Sequence, residues 1–143
     1  MKKQLIIFFF LISIHSFSQP PIQWDFQYDA STENIVLTAK LDEGWHLYSQ
    51  KIGANLGPIP TSFTFNENEL VKLKGKTKEP EALSEFDENF GAELQYFEKS
   101  VSFTQKIRSN ENTSITGTVT YMVCNATSCL PPVDETFEIQ LFN

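Results

Sequence analysis

The 143-residue chain has few of the side chains that usually carry chemistry: two cysteines, two histidines and two methionines. His15 lies in the apolar N-terminal stretch, which leaves His46 alone in the remainder. A structural zinc site takes about four ligands, so Cys124, Cys129 and His46 make a poor metal set. Nothing in the chain forms a Ser/His/Asp set, a phosphate loop or a carboxylate pair. Positive charge is scarce as well. Without Lys2 and Lys3, 9 basic residues face 18 acidic ones, and the formal charge moves from −7 to −9. Such an excess argues against nucleic acid and anionic membrane surfaces as partners. No apolar run beyond Ile14 is long enough to cross a bilayer. Repeats, low-complexity tracts and helical heptads are missing too.

What is present begins with a leader. Lys2 and Lys3 precede an almost wholly apolar run from Leu5 to Ile14, and Ser16 and Ser18 stand at a signal-peptidase spacing. This predicts a secretory signal peptide over residues 1–18, cleaved before Gln19. Residues 19–143 then form one domain. The product is expected in the periplasm as a monomer, with no membrane insertion after cleavage. A disulfide persists in that compartment.

Along residues 19–143 the recurring pattern is period-two alternation. IQWDFQYD (residues 22–29) places Ile22, Trp24, Phe26 and Tyr28 on one face, and NIVLTAKLD (34–42) places Ile35, Leu37, Ala39 and Leu41. Residues 61–65, 70–75, 94–107, 114–124 and 135–142 continue it. Alternation of this kind marks strands with one buried face. Turn residues fall between the runs, at 42–44, 55–60 and 109–112. The expected fold is all-β, an immunoglobulin-like antiparallel β-sandwich. Residues 77–94, long, acidic and poor in β-branched side chains, break the pattern and read as a functional loop or irregular connection.

Both cysteines sit in YMVCNATSCLPP (residues 121–132). Cys124 closes a strand pattern and Cys129 opens the segment leading to the last strand. As a staple, a closed loop of about six residues adds only about 2 kcal/mol. As a redox pair, a small surface ring flanked by Pro131 and Pro132 has the character of a labile disulfide. Spacing alone leaves both readings open. The sequons at Asn112 and Asn125 have meaning only in a glycosylating pathway.

Three stretches carry a resemblance: YMVCNATSCLPPVDETFEI (121–139), DEGWHLYSQ (42–50) and FDENFG (86–91). In order and spacing they resemble the N-terminal periplasmic domain of DsbD, the bacterial membrane thiol:disulfide reductase. The resemblance implies a redox shuttle with no cofactor beyond a Cys124–Cys129 disulfide. It implies a thioredoxin-like electron donor, which a membrane reductase would supply, and oxidised periplasmic thiol proteins as acceptors, including those of cytochrome c biogenesis. Cys129 would form the mixed disulfide and Cys124 would resolve it. The family covers its cysteines with an aromatic cap loop. FDENFG falls there, with Phe90 the first choice of cap and Phe86 the second, because Asn89 stands where relatives often have an aromatic. Asp87 and Glu88 would assist proton movement or raise the thiol pKa values, or be two more solvated acids. His46 and Tyr48 share a strand face beside the cysteines, and a protonated His46 would lower a thiol pKa. The chain stops one strand past Cys129, so a stand-alone version with a separate donor is expected. The competing reading is a non-enzymatic secreted β-sandwich binding module whose disulfide is only structural.

Overall fold

The computed structural model describes residues 19–53, 57–88, 90–109 and 111–142; the expected leader, residues 1–18, and Asn89 lie outside them. Eleven strands follow in order: β1 (Ile22–Asp29), β2 (Asn34–Leu41), β3 (His46–Tyr48), β4 (Ser62–Asn66), β5 (Val71–Lys78), β6 (Leu83–Asp87), β7 (Ala92–Glu98), β8 (Ser100–Ser109), β9 (Thr113–Tyr121), β10 (Val123–Cys124) and β11 (Val133–Leu141). Among the described residues there is no helix. The strands form three antiparallel sheets, ordered β1-β2-β8-β5, β11-β9-β4 and β10-β3-β7-β6.

The first two sheets make the sandwich. Their alternating residues meet in one core: Ile35, Leu37 and Ala39 from β2, Phe103 and Ile107 from β8, Ile115 and Val119 from β9, and Ile139 and Leu141 from β11. Each fully buried Leu, Ile or Phe contributes about 1.5–3 kcal/mol. Aromatic rings close the gap between the sheets. Phe26 stacks on Phe137 at 4.7 Å, and Trp24 meets Phe63 edge-on at 5.9 Å. Gly117 on β9 makes room for this layer. A Cβ there would run into the Phe137 ring and the Thr64 carbonyl.

The third sheet arises because two apparently continuous runs change sheets. Residues 94–107 divide at Lys99, whose φ of 60° turns the chain from β7 into β8. Residues 114–124 divide at Met122, where the chain leaves β9 and pairs as β10 with β3. Strands that bend between sheets build the corners of sandwiches. Here the diverging ends form a separate four-stranded sheet at one end of the body.

The expectation of an irregular connection over residues 77–94 is corrected. Those residues contain β6 and the start of β7, paired in register from Leu83↔Tyr96 to Asp87↔Ala92. The acidic side chains hid the strand because β6 is an edge with four of its five residues exposed. Cross-strand pairing, rather than burial of alternate side chains, holds it in place.

Candidate functional site

Cys124 ends β10 and is fully buried, whereas Cys129 is partly exposed. The two pair as an isolated antiparallel bridge and are joined by a disulfide, with Cα atoms 4.0 Å apart. Asn125 shapes the intervening turn. Its side-chain oxygen accepts hydrogen bonds from the backbone N–H of Thr127 (3.0 Å) and of Ser128 (2.9 Å), and Asn125 N–H donates to the Ser128 carbonyl. Asn and Asp side chains favour such turns because they reach their own backbone two residues on. Beyond Cys129, Leu130 N–H returns to the Val123 carbonyl at 3.0 Å.

Register then decides which side chains share a face with the disulfide. Cys124 lies opposite His46, and His46, Leu47 and Tyr48 lie opposite Glu98, Phe97 and Tyr96. Residues directly opposite one another point to the same side of a sheet. One face therefore carries Cys124, His46, Tyr48, Tyr96 and Leu94, while Val123, Leu47 and Phe97 point the other way into the sandwich core. Tyr48, Leu94 and Cys124 form a small second core, against which Phe90, Met122 and Cys129 pack.

Asp87 ties the β6–β7 hairpin to this face. Its Oδ2 accepts a hydrogen bond from the Tyr48 hydroxyl at 2.6 Å, and its Oδ1 accepts one from Phe90 N–H at 3.3 Å. Gly91 N–H donates to the Asp87 carbonyl at 2.8 Å, and Gly91 returns the chain with φ of 64°. His46 Nε2 lies 3.1 Å from the Tyr48 oxygen and 3.7 Å from Asp87 Oδ2. The single Tyr48 hydrogen is engaged with Asp87, so Nε2 carries the hydrogen that His46 donates to Tyr48.

Burial holds the His46 imidazole below its ordinary pKa, against the opposing pull of Asp87, Glu98 and Glu85. It is therefore mostly neutral at pH 7 and faces Tyr48 and Asp87. Burial and the hydrogen bond to Asp87 raise the Tyr48 phenol well above its usual value. Tyr96 donates to Glu85 Oε2 at 2.7 Å, and burial with that carboxylate pushes its pKa up to about 12. Each hydroxyl is thus a fixed donor to a carboxylate rather than a proton source.

Phe90 meets Tyr48 edge-on, ring centroids 6.0 Å apart. Phe86 is 63% exposed and, together with His46, Asp87 and Tyr96, lines a cleft of about 310 Å³ beside the disulfide turn. Glu88 lines the same cleft, with Glu85, Glu98 and Ala126. The sequence assigned no role at the site to Tyr96 or Glu85, and marked Asn125 only as a sequon. Tyr96 was within reach of the alternation of residues 94–107, but its role appears only once β7 is set between β3 and β6. Among the described residues, no group of three His, Cys, Asp or Glu side chains is placed to hold a metal ion, and no helix is long and apolar enough to cross a membrane.

The profile of the family described as thiol:disulfide interchange protein DsbD, N-terminal, matches residues 15–141. A search of curated proteins finds no match. Among solved structures, the chain is similar to the reduced DsbD N-terminal domain of Neisseria meningitidis, at 15% identity and a TM-score of 0.64, covering 86% of this chain and 87% of that one. The complex between the DsbD and PilB N-terminal domains of the same organism matches at 17% identity and a TM-score of 0.61, covering 84% and 85%. The N-terminal periplasmic domain of ScsB from Proteus mirabilis matches at 16% identity and a TM-score of 0.57, covering 82% of this chain and 44% of that one. At these identities the structural likeness establishes the sandwich fold, and the profile match, which spans most of the sequence, establishes the family: the chain belongs to the DsbD N-terminal domain family of thiol:disulfide interchange proteins.

Proposed function

We propose that this domain is a periplasmic dithiol shuttle in which Cys129 exchanges with partners and Cys124 resolves. The observation that carries the reading is the asymmetry of the pair. One sulfur belongs to a fully buried residue, and the other to a residue that solvent reaches. An incoming partner meets Cys129 first.

The reduced domain attacks with the Cys129 thiolate on one sulfur of a partner disulfide. A mixed disulfide forms and one partner thiolate leaves. The Cys124 thiolate then attacks Cys129 Sγ, restores the Cys124–Cys129 bond and releases the second partner thiolate. Two electrons pass to the partner, whose thiolates take up the two protons lost by the cysteines. A thioredoxin-like donor runs the same steps in reverse to reduce the domain. The relative solved with a PilB N-terminal domain supports pairing with a separate protein domain. Phe90 acts as the cap on this reading, held by Asp87 through Tyr48 and its own N–H. Asp87 positions the cap, and His46 positions Tyr48.

A Cys124→Ala variant, offered oxidised thioredoxin-like domains, is expected to accumulate a mixed disulfide at Cys129, identified by mass spectrometry under non-reducing conditions. Cys129→Ala should accumulate none. A pair with a reduction potential below about −300 mV that gives no adduct in either variant is a structural bridge, and would return the domain to the reading of a non-enzymatic binding module.

A further inference from the structure

The chain is acidic overall, yet six of its nine basic residues beyond the leader are gathered on one face. Lys72, Lys74, Lys76 and Lys78 all lie exposed along β5, and Lys106 and Arg108 face them from β8. Lys72 pairs directly with Arg108 and Lys74 with Lys106. Like charges directly opposite one another destabilise a sheet. Outward lysines on an edge strand are ordinarily a defence against edge-to-edge pairing. That accounts for β5, the last strand of its sheet, but not for cations on the interior strand β8.

A bulge concentrates the charge further. Lys74 pairs with Lys106 and Lys78 with Thr104, so four steps along β5 span two along β8. Gly75 makes the turn with φ of 73°. Gln105, only 2% exposed, supports it from beneath. Its carboxamide donates to the Lys74 and Gly75 carbonyls, each at 3.4 Å, and accepts from the Thr77 hydroxyl at 2.9 Å. Bulges re-aim side chains and recur beside functional sites. This one brings Lys76 and Lys78 together with Lys106, Asn34 and Thr104 around a pocket of about 210 Å³. Lys106 already donates to the Thr32 carbonyl at 2.6 Å and pairs with Glu33 at 3.3 Å. Among the described residues, the Lys76 and Lys78 ammonium groups have no hydrogen-bond or ion-pair partner.

We infer that this bulge pocket binds a phosphate-class oxyanion, either free in solution or borne on a lipid headgroup. Ammonium groups serve phosphate as point charges, and the Asn34 amide and Thr104 hydroxyl add neutral donors. The net charge of the chain does not prevent this, because local potential governs a site of this size. The inference stands apart from the thiol chemistry.

Titration of the full domain with pyrophosphate, against sodium chloride at equal ionic strength, is followed by amide proton–nitrogen spectra. Saturable shifts are expected around residues 75–78 and 104–106. The doubly substituted Lys76→Gln/Lys78→Gln domain should bind at least about tenfold more weakly, and Glu33→Gln, which frees Lys106, should bind more tightly. Thiol exchange should be unchanged in both variants. Pelleting with phosphatidylglycerol or phosphatidylcholine vesicles separates the sources. Binding to anionic vesicles and pyrophosphate assigns the headgroup, and binding to pyrophosphate alone assigns a free phosphate. No saturable shift, shifts that persist in Lys76→Gln/Lys78→Gln, or vesicle binding without pyrophosphate binding would each overturn the pocket.

Discussion

The sandwich body and the small end sheet are built from the same alternating strands, and they bury different things. In the body, one face of each strand is apolar and the core is filled by Ile, Leu, Val and Phe with rings stacked between the sheets. In the end sheet, the corresponding face carries Cys124, Tyr48 and Tyr96, with hydroxyls fixed to Asp87 and Glu85. The neighbouring loops are tied down by polar contacts rather than packing. The Ser49 hydroxyl and the Gln50 N–H both donate to the Glu79 carboxylate, and the Thr61 hydroxyl donates to the Tyr48 carbonyl. The lesson is a division of labour. The body supplies stability through apolar area, so the end sheet can hold polar groups and a small-ring disulfide that add little stability.

Mutations should expose that division most clearly in the body. Leu37→Ala removes a fully buried side chain from the centre of β2 and should cost about 2–5 kcal/mol, measured by chemical denaturation, while leaving thiol exchange of the folded fraction unchanged. Gly117→Ala should cost about 1–3 kcal/mol, since the added carbon meets the Phe137 ring and the Thr64 backbone oxygen. A neutral result at Gly117 would mean that the ring layer relaxes freely.

The end sheet should respond the other way. Replacing both cysteines with alanine should lower stability by only about 2 kcal/mol and abolish exchange altogether; unfolding of the domain would contradict the division. Tyr48→Phe deletes the hydroxyl that Asp87 accepts from. It should cost about 1 kcal/mol and speed reduction of the disulfide by dithiothreitol, because the hairpin bearing Phe90 is released. Unchanged reduction kinetics would exclude Asp87 as the tether.

The pH dependence should be the smallest effect. The native His46 pKa lies below its unfolded value of about 6.5, so below that pH the unfolded chain binds the extra proton. Stability from this group therefore falls as pH drops through about 6.5, and His46→Gln should flatten that limb. Tyr48 and Tyr96 are shifted upward, as is Tyr121, which burial and Glu135 raise to about 12. For these phenols the native state holds the proton longer, so stability declines as pH rises above about 10.

Much of this was legible in residue order. Alternation in residues 22–29 and 34–42 marked β1 and β2 almost to the residue, because each strand has one face in the core and one in water. The cysteine pair was visible too, and the three resembling stretches pointed to the family that the profile match establishes. The edge strand β6 was hidden because it buries so little that composition carries no period. The sheet changes at Lys99 and Met122 were hidden because alternation continues through a bend. Phe90 and Phe86 could not be ranked by surroundings until the hairpin register placed one against Tyr48 and left the other exposed.

The sequence by itself determined the β class, the strand faces and the position of the disulfide, since these depend on local periodicity and on a six-residue ring. Only the tertiary structure decided that Cys124 is buried while Cys129 is reachable, that His46 serves Tyr48 and Asp87, and that lysines from two strands converge on one bulge. Those facts depend on pairing between residues far apart in the chain, and the register of such pairs is set by how the two sheets close over a shared core.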